Sequence, residues 1–256
     1  LFGLTKYLEN IPVFQNNAEM SPLEEKYNIA IVYEDNHLII INKKPSQIAQ
    51  EDKTGDVPLT TILKAYLKEK YNKPGNVYLG LVHRLDRPTS GLLVFAKTDK
   101  AGKRLSELFK NRELSKKYWA VVQKAPPQSE ALLQNYLKKN EQKNKSFVVN
   151  EKTTGAKKAE LKYKYLLSSD RYHLLEIELL SGRHHQIRCQ LAHIGCIVKG
   201  DVKYGFDRAN DDLSIHLHSY SIDFIHPVKK EPMHFLAKPP EDPIWNYFWK
   251  SINGNL

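Results

Sequence analysis

The chain has 256 residues, 41% of them hydrophobic, enough for one large core or two smaller ones. Its 39 Lys and Arg exceed its 29 Asp and Glu, a net charge of +10 that favours a polyanionic partner through phosphate neutralisation without requiring one. Two cysteines, Cys189 and Cys196, exclude a disulfide framework, and no apolar stretch is long enough to span a bilayer. Seven helical residues separate the cysteines by about 10 Å, too far for a disulfide, so both are expected reduced in a cytoplasmic protein. Lys6 and Glu9 interrupt LFGLTKYLENIPVF before a signal-peptide core can form.

From Ile29 the pattern IAIVYEDNHLIIINK predicts two strands around the turn Glu34-Asp35-Asn36. In PLTTILKAYLKEKY, Leu59, Ile62, Leu63, Tyr66 and Leu67 recur at helical spacing, and Asn72 to Gly75 end that helix. YLGLV and GLLVFAKT predict strands on either side of HRLDRPTS, with Pro88 and Ser90-Gly91 marking a turn. Ala101, Leu105, Leu108 and Phe109 predict a second helix, followed by a strand at KKYWAVVQ. From Lys138 to Lys158 seven lysines face two glutamates, which reads as a solvated excursion or an ordered RNA-contacting loop. Strands follow at AELKYKYLL and YHLLEIELL. Ser181 to Gly195 predicts a helix with Ser181 as N-cap and Gly195 as its stop. LHSYSIDFIHP and PMHFLAKPP predict a closing strand pair. The class is α+β with a mixed, largely antiparallel sheet flanked by helices, with no linker and no repeat.

Several site types have no signature here. There is no P-loop, no Rossmann glycine fingerprint, no HExxH, no pair of CxxC motifs and no GxSxG elbow. His184-His185, His216 and His218 lack cysteines at ligand spacing, and adjacent helical histidines point apart, so neither metal nor cofactor is expected. Charge is dense in two apolar settings. His83, Arg84, Asp86 and Arg87 lie between strands, where a structural ion pair pinning a turn is the simplest account. In SGRHHQIRCQLAHIG, His184, Ile187, Arg188 and Leu191 share a helical face. A half-buried Arg188 needs a carboxylate, and Asp86 is the candidate. That pairing keeps an aspartate ionised, as a nucleophile or base requires.

HRLDRPTSGLLVFAKT resembles the signature of RluA-type pseudouridine synthases, in which the aspartate is catalytic. Three further segments agree in order: IVYEDNHLIIINKKPSQ, KKYWAVVQK and SGRHHQIRCQLAHIGCIVKGDVKYG. The resemblance covers nearly everything from Ile29 onward, including the closing strands. It implies a pseudouridine synthase catalytic domain over 29–256, preceded by an extension over 1–28 in place of the small RNA-binding module many members carry. By resemblance Asp86, Tyr118 and Arg188 are catalytic residues, and Leu191 walls the uracil pocket. Arg84 helps hold an extruded nucleotide, and Arg87 lies nearer the phosphates. Ser181 stands where Thr is commoner and Gln190 where His is more usual.

The implied reaction isomerises uridine within ribosomal or transfer RNA, which needs no redox partner, cofactor or metal. Asp86 attacks the substrate or takes a ribose proton, Tyr118 stacks on the uracil, and the uridine must leave its stack to react. With no N-terminal module, capture of the RNA falls to the basic surface, above all Lys138 to Lys158. A monomer is the default. A non-catalytic RNA-binding or ribosome-assembly factor on the same fold predicts a damaged site, whereas Asp86, Tyr118 and Arg188 are all present. A hydrolase acting on nucleosides or RNA through Asp86 and a histidine predicts a change in RNA mass.

Overall fold

The computed structural model describes residues 13–15 and 19–254. In chain order the elements are β1 (Val13–Gln15), α1 (Pro22–Tyr27), β2 (Ile31–Glu34), β3 (Leu38–Lys43), α2 (Leu59–Lys70), β4 (Gly80–Leu81), β5 (Ser90–Ala96), α3 (Asp99–Asn111) and β6 (Ser115–Val122). There follow β7 (Glu130–Asn140), β8 (Lys145–Val149), β9 (Lys157–Ser168), β10 (His173–Leu179), α4 (Gln186–His193), β11 (Leu217–Ile225), β12 (Pro232–Leu236) and α5 (Pro243–Asn253). The class is α+β, and nearly every registered strand pair is antiparallel, the exception being β1 with β12. No helix among the described residues is long and apolar enough to cross a membrane.

The chain forms two compact units that interleave in sequence. The first takes the described residues up to Ser115 together with Ser219–Lys238, and the second takes Lys116–His218 with the residues from Pro239 onward. Two of the three crossings fall within strands β6 and β11, so no composition shift announces them.

In the first unit β2, β3, β5 and β11 are successive neighbours, with β4 on β5, β12 on β11 and β1 on β12. Leu38, Ile40, Leu92, Val94, Ile222, Phe224 and Phe235 build a core against Ala101 and Leu105 of α3. Ile39 and Ile41, on the other face of β3, are buried too, which is why this strand reads as an unbroken apolar run. Part of the predicted extension is built into this unit. Val13 of β1 lies opposite His234, and α1 carries a capping box between Ser21 and Glu24. Lys26 and Tyr27 of α1 then hydrogen-bond Glu69 of α2.

The second unit orders its strands β6-β10-β9-β7-β8. This corrects the reading of Lys138 to Lys158 as an excursion or loop: the stretch holds the end of β7, all of β8 and the start of β9. Leu137 and Ala159, which bracket the stretch, pack against Cys189 of α4 and Tyr204. The lysines of the stretch include the adjacent pairs Lys138-Lys139 and Lys157-Lys158, all four exposed, and such consecutive polar residues hide the period-2 signal in the sequence. Lys139 pairs with Glu141 and Lys158 with Glu160, whereas Lys138, Lys143, Lys152 and Lys157 are exposed and have no ion-pair partner among the described residues.

Helix α5 caps the second unit. Asp242 is its N-cap, accepting from the N–H groups of Ile244 and Trp245 at 2.9 and 3.1 Å, and it also bonds His216 Nε2 at 3.0 Å. His216 is buried and stacks on Trp245, with ring centroids 5.2 Å apart. Partial burial raises the Asp242 pKa, but His216 and the two N–H groups outweigh it and bring the carboxyl down to about 2. A carboxyl whose pKa is lowered on folding contributes stability that is present above its unfolded value and lost as pH falls through its folded one. Thermal melts should therefore show the second unit weakening between about pH 4 and pH 2, with a shallower acid dependence in Asp242→Asn. Equal acid slopes in the two proteins would contradict this account of the cap.

Candidate functional site

The HRLDRPTS segment joins β4 to β5 in the first unit, and its backbone is held from several sides. His83 Nε2 accepts the Val94 N–H at 3.0 Å, and its ring stacks on Phe109 at 4.7 Å. Leu85 is buried, and the Asp86 carbonyl accepts the Thr89 N–H at 3.0 Å, closing a turn over Arg87-Pro88. Gly91 takes φ +111°, and a Cβ there would lie 2.3 Å from the Ser219 carbonyl oxygen and 2.5 Å from its nitrogen. Only glycine lets β5 start so close to β11.

Beneath this loop lies Lys43, the last residue of β3, with no exposed surface. Its ammonium donates to the carbonyls of Lys44, Arg87 and Thr89 at 2.9, 3.1 and 2.7 Å. Three acceptors match the three donors of a charged lysine. Burial draws the pKa of Lys43 down to about 7, against the field of the Asp86 carboxylate, which raises it, and with that of Arg87, which lowers it further. Asp86 itself is partly exposed. Arg84 is exposed and has no ion-pair partner among the described residues. Arg87 instead pairs with Asp56 and donates to Thr54 Oγ1 at 3.2 Å, so phosphate contact by this side chain requires an exchange of partners.

The second unit holds the other expected residues. Tyr118 stands on β6 opposite Ile177 of β10 and is 5% exposed. Arg188 projects from α4 and is 4% exposed. It donates from Nε and Nη2 to the two oxygens of Asp201 at 2.7 and 2.8 Å. Asp201 is 1% exposed, so both charges of this side-on pair are out of water. The Arg188 guanidinium also lies 5.2 Å from the centre of the Tyr204 ring. Leu191, on the same helix, is fully buried.

Helix α4 starts at Gln186, four residues later than expected, with His185 rather than Ser181 at its N-cap position. The Ser181 hydroxyl accepts the Glu160 N–H and donates to Gln186 Oε1, both at 2.8 Å, while Gln186 Nε2 reaches the Glu160 carbonyl at 3.0 Å. This clasp fastens residues 181–186 to β9, and His185 adopts φ 51°, which a helix cannot contain. His184 and His185 therefore stack, centroids 3.8 Å apart, rather than pointing apart as on a helix. Gly195 does end the segment, at φ +82°. Gln190 donates from Nε2 to Asn135 Oδ1 at 2.8 Å and to the Leu133 carbonyl at 3.2 Å, joining α4 to β7. Cys189, donating to the Ser146 carbonyl, has its thiol pushed by burial up to about 11, and both cysteines are free.

Two residues escaped the sequence reading. Asp201 is the carboxylate that Arg188 meets within its own unit, and the acidic residue in KGDVKYG was the available signal. Lys43 gave none, because a lysine at the end of an apolar strand reads as solvent-exposed. Among the described residues no three His, Cys, Asp or Glu side chains gather as a metal site would require.

The family described as RNA pseudouridylate synthase matches residues 37–193, a span holding Arg84, Asp86, Arg87, Tyr118, Arg188 and Leu191. The ribosomal large subunit pseudouridine synthase C of Buchnera aphidicola subsp. Baizongia pistaciae is 32% identical over 240 residues, covering 90% of this chain and 71% of that protein. The ribosomal large subunit pseudouridine synthase D of Zymomonas mobilis is 30% identical over 238 residues, covering 89% and 72%. Among solved structures, human RNA pseudouridylate synthase domain containing 4 shares the fold with a TM-score of 0.69 at 23% identity, over 88% of this chain and 92% of that one.

Breaking a buried pair leaves an uncompensated charge, so Asp201→Ala should lose about 3–5 kcal/mol of stability in urea unfolding. A loss under about 1 kcal/mol, the worth of an exposed pair, would show that Asp201 does not hold Arg188 in solution.

Proposed function

Since the chain belongs to the RNA pseudouridylate synthase family, an isomerase family acting on RNA, we propose that it isomerises uridines of large-subunit ribosomal RNA with Asp86 as the catalytic carboxylate. The observation that carries this reading is the HRLDRPTS loop, within the matched span, fixed by Lys43 below and Gly91 behind, with Asp86 at its turn. The choice of ribosomal RNA rests on the names of the relatives.

The chemistry breaks the bond from ribose C1′ to uracil N1, turns the base and joins C1′ to C5. The C5 proton is lost and N1 gains one, so the mass of the RNA is unchanged. Asp86 starts this by attack on the substrate or by removing a ribose proton. Arg188, braced by Asp201, supplies a fixed positive charge that favours an ionised carboxylate. Tyr118 stacks on the uracil, and Leu191 keeps water from the detached base. The base must leave its helix first, at a cost of a few kcal/mol. Arg84, exposed and without an ion-pair partner among the described residues, is suited to hold the extruded strand, and Lys138, Lys143, Lys152 and Lys157 to attract the RNA backbone.

Mapping pseudouridines across total RNA with and without the gene tests the substrate. The expected result is loss of discrete sites in large-subunit ribosomal RNA. Losses confined to transfer RNA would overturn the choice of target, and no loss anywhere would overturn the activity. For Tyr118→Phe, which keeps the ring, RNA affinity should stay at the wild-type value; a fall in affinity would contradict the stacking role.

A further inference from the structure

We propose that the second unit carries a separate pocket for an unpaired RNA nucleotide neighbouring the one that reacts. The inference rests on the reading of the chain as an RNA-modifying enzyme and names how that enzyme grips its substrate. The pocket is a cavity of about 480 Å³ lined by Gln123, Arg171, Tyr172, Phe206, Asp207 and Arg208. That volume falls within the range of small-ligand sites, about 300–1,000 Å³.

The backbone of its frame is tied by hydrogen bonds. Tyr172 ends a tight turn in which its carbonyl accepts the Ser169 N–H at 2.8 Å and its own N–H donates to Ser169 Oγ at 3.2 Å. Gln123 follows β6, whose Val121 carbonyl takes the Lys199 N–H at 2.9 Å. Phe206 is set by its N–H on the Asp201 carbonyl at 3.1 Å. The far end of that loop is tied down at Asn210, which accepts from Lys199 Nζ at 2.6 Å and contacts Ser214 and His216 at 3.1 Å each.

The lining has the chemistry of a nucleotide site. Tyr172 and Phe206 offer aromatic faces for a base, and stacking on such faces is the sequence-tolerant part of single-strand binding. Arg171 and Arg208 have no ion-pair or hydrogen-bond partner among the described residues, and both are exposed at the rim. Lys199 Nζ adds a third cation, 6.0 Å from the Tyr172 ring centre; burial lowers its pKa, the Asp242 carboxylate raises it and the Arg208 charge lowers it again. Guanidinium groups not directly paired with a carboxylate suit a phosphate. Asp207 is the one carboxylate of the lining, while Asp242, Asp211 and Asp212 act on Lys199 from outside it. Asp207 and the Gln123 amide can meet the donor edge of a base. An acidic peptide has charge for the arginines but no flat ring for Tyr172 and Phe206.

Position excludes the reacting uridine as the occupant. Gln123, the residue after β6, lies five residues from Tyr118, about 16 Å at the rise of a strand, so one base cannot serve both. The pocket wall is nevertheless joined to Arg188, because Asp201 holds Phe206 by its backbone and Arg188 by its side chain.

The test is fluorescence anisotropy of the full chain with a labelled single-stranded RNA decamer of mixed sequence, alongside pseudouridine formation on ribosomal RNA. Tyr172→Ala should weaken decamer binding about five-fold or more, and Tyr172→Phe should leave it unchanged. Arg171→Gln with Arg208→Gln should lower the slope of log affinity against log salt by about 1. Phe206→Leu, on the neighbouring loop, repeats the aromatic test should Tyr172→Ala fail to fold. Wild-type decamer binding by Tyr172→Ala and Phe206→Leu, in a protein that still forms pseudouridine, overturns the pocket and leaves the activity standing. Weakened binding in those variants when the wild type forms no pseudouridine overturns the activity and supports the pocket. Displacement of the decamer by polyglutamate at equal charge, with unchanged affinity in Tyr172→Ala, assigns the site to acidic peptides and overturns the proposal.

Discussion

An arginine cannot lie in a protein interior without its counter-charge, and Arg188 finds one in Asp201 with two hydrogen bonds of 2.7 and 2.8 Å. Much of the second unit's arrangement follows from that demand. The pair draws the turn carrying Val202–Tyr204 against α4, which places Tyr204 over Ser146 of β8 and beside Cys189. The same aspartate sets Phe206 through its carbonyl. The helix bearing Arg188 and Leu191, the edge strand of the basic hairpin and the arginine-lined pocket are thus referred to one buried ion pair. Such a pair adds little net stability over apolar residues of the same shape, but losing one partner is costly, so it acts mainly to specify position.

The first unit solves a different problem, how to hold a carboxylate at a turn without burying it. Lys43 satisfies three carbonyls from beneath, two of them within HRLDRPTS, and its charge faces the region of Asp86. Gly91 gives the loop its exit, because any side chain there would strike the backbone of Ser219. A loop fixed by backbone contacts at both ends can present a reactive side chain in one orientation, which is what positioning chemistry requires.

How far the sequence could be read depended on whether the signal was local. β3, β5, α2 and α3 were legible because burial wrote an apolar pattern into each, and the α+β class followed from their order. α5 was equally legible and went unread: Asp242 before Pro243, apolar residues at helical spacing and Gly254 as a stop are local signals. β7 and β8 were masked because the end of β7 runs Lys138-Lys139-Asn140, three exposed polar residues in succession, which reads as a loop. The start of α4 could not be read, since the clasp of Ser181 and Gln186 to Glu160 joins residues about twenty apart. For the same reason the sequence shows that Arg188 needs a carboxylate but points to Asp86 for it, whereas Asp201, thirteen residues on, supplies one within the second unit. The arginine-lined pocket draws on three separate segments, and no linear pattern announces it.

Asp86 is the residue through which we propose that this chain converts uridine to pseudouridine. The most direct test is to incubate purified wild-type protein and Asp86→Asn, each confirmed to be folded and to bind RNA, with large-subunit ribosomal RNA from cells lacking the gene, and to count pseudouridines site by site. The account predicts new pseudouridine with unchanged RNA mass for the wild type and none for the variant. Formation by Asp86→Asn to the wild-type extent would contradict it.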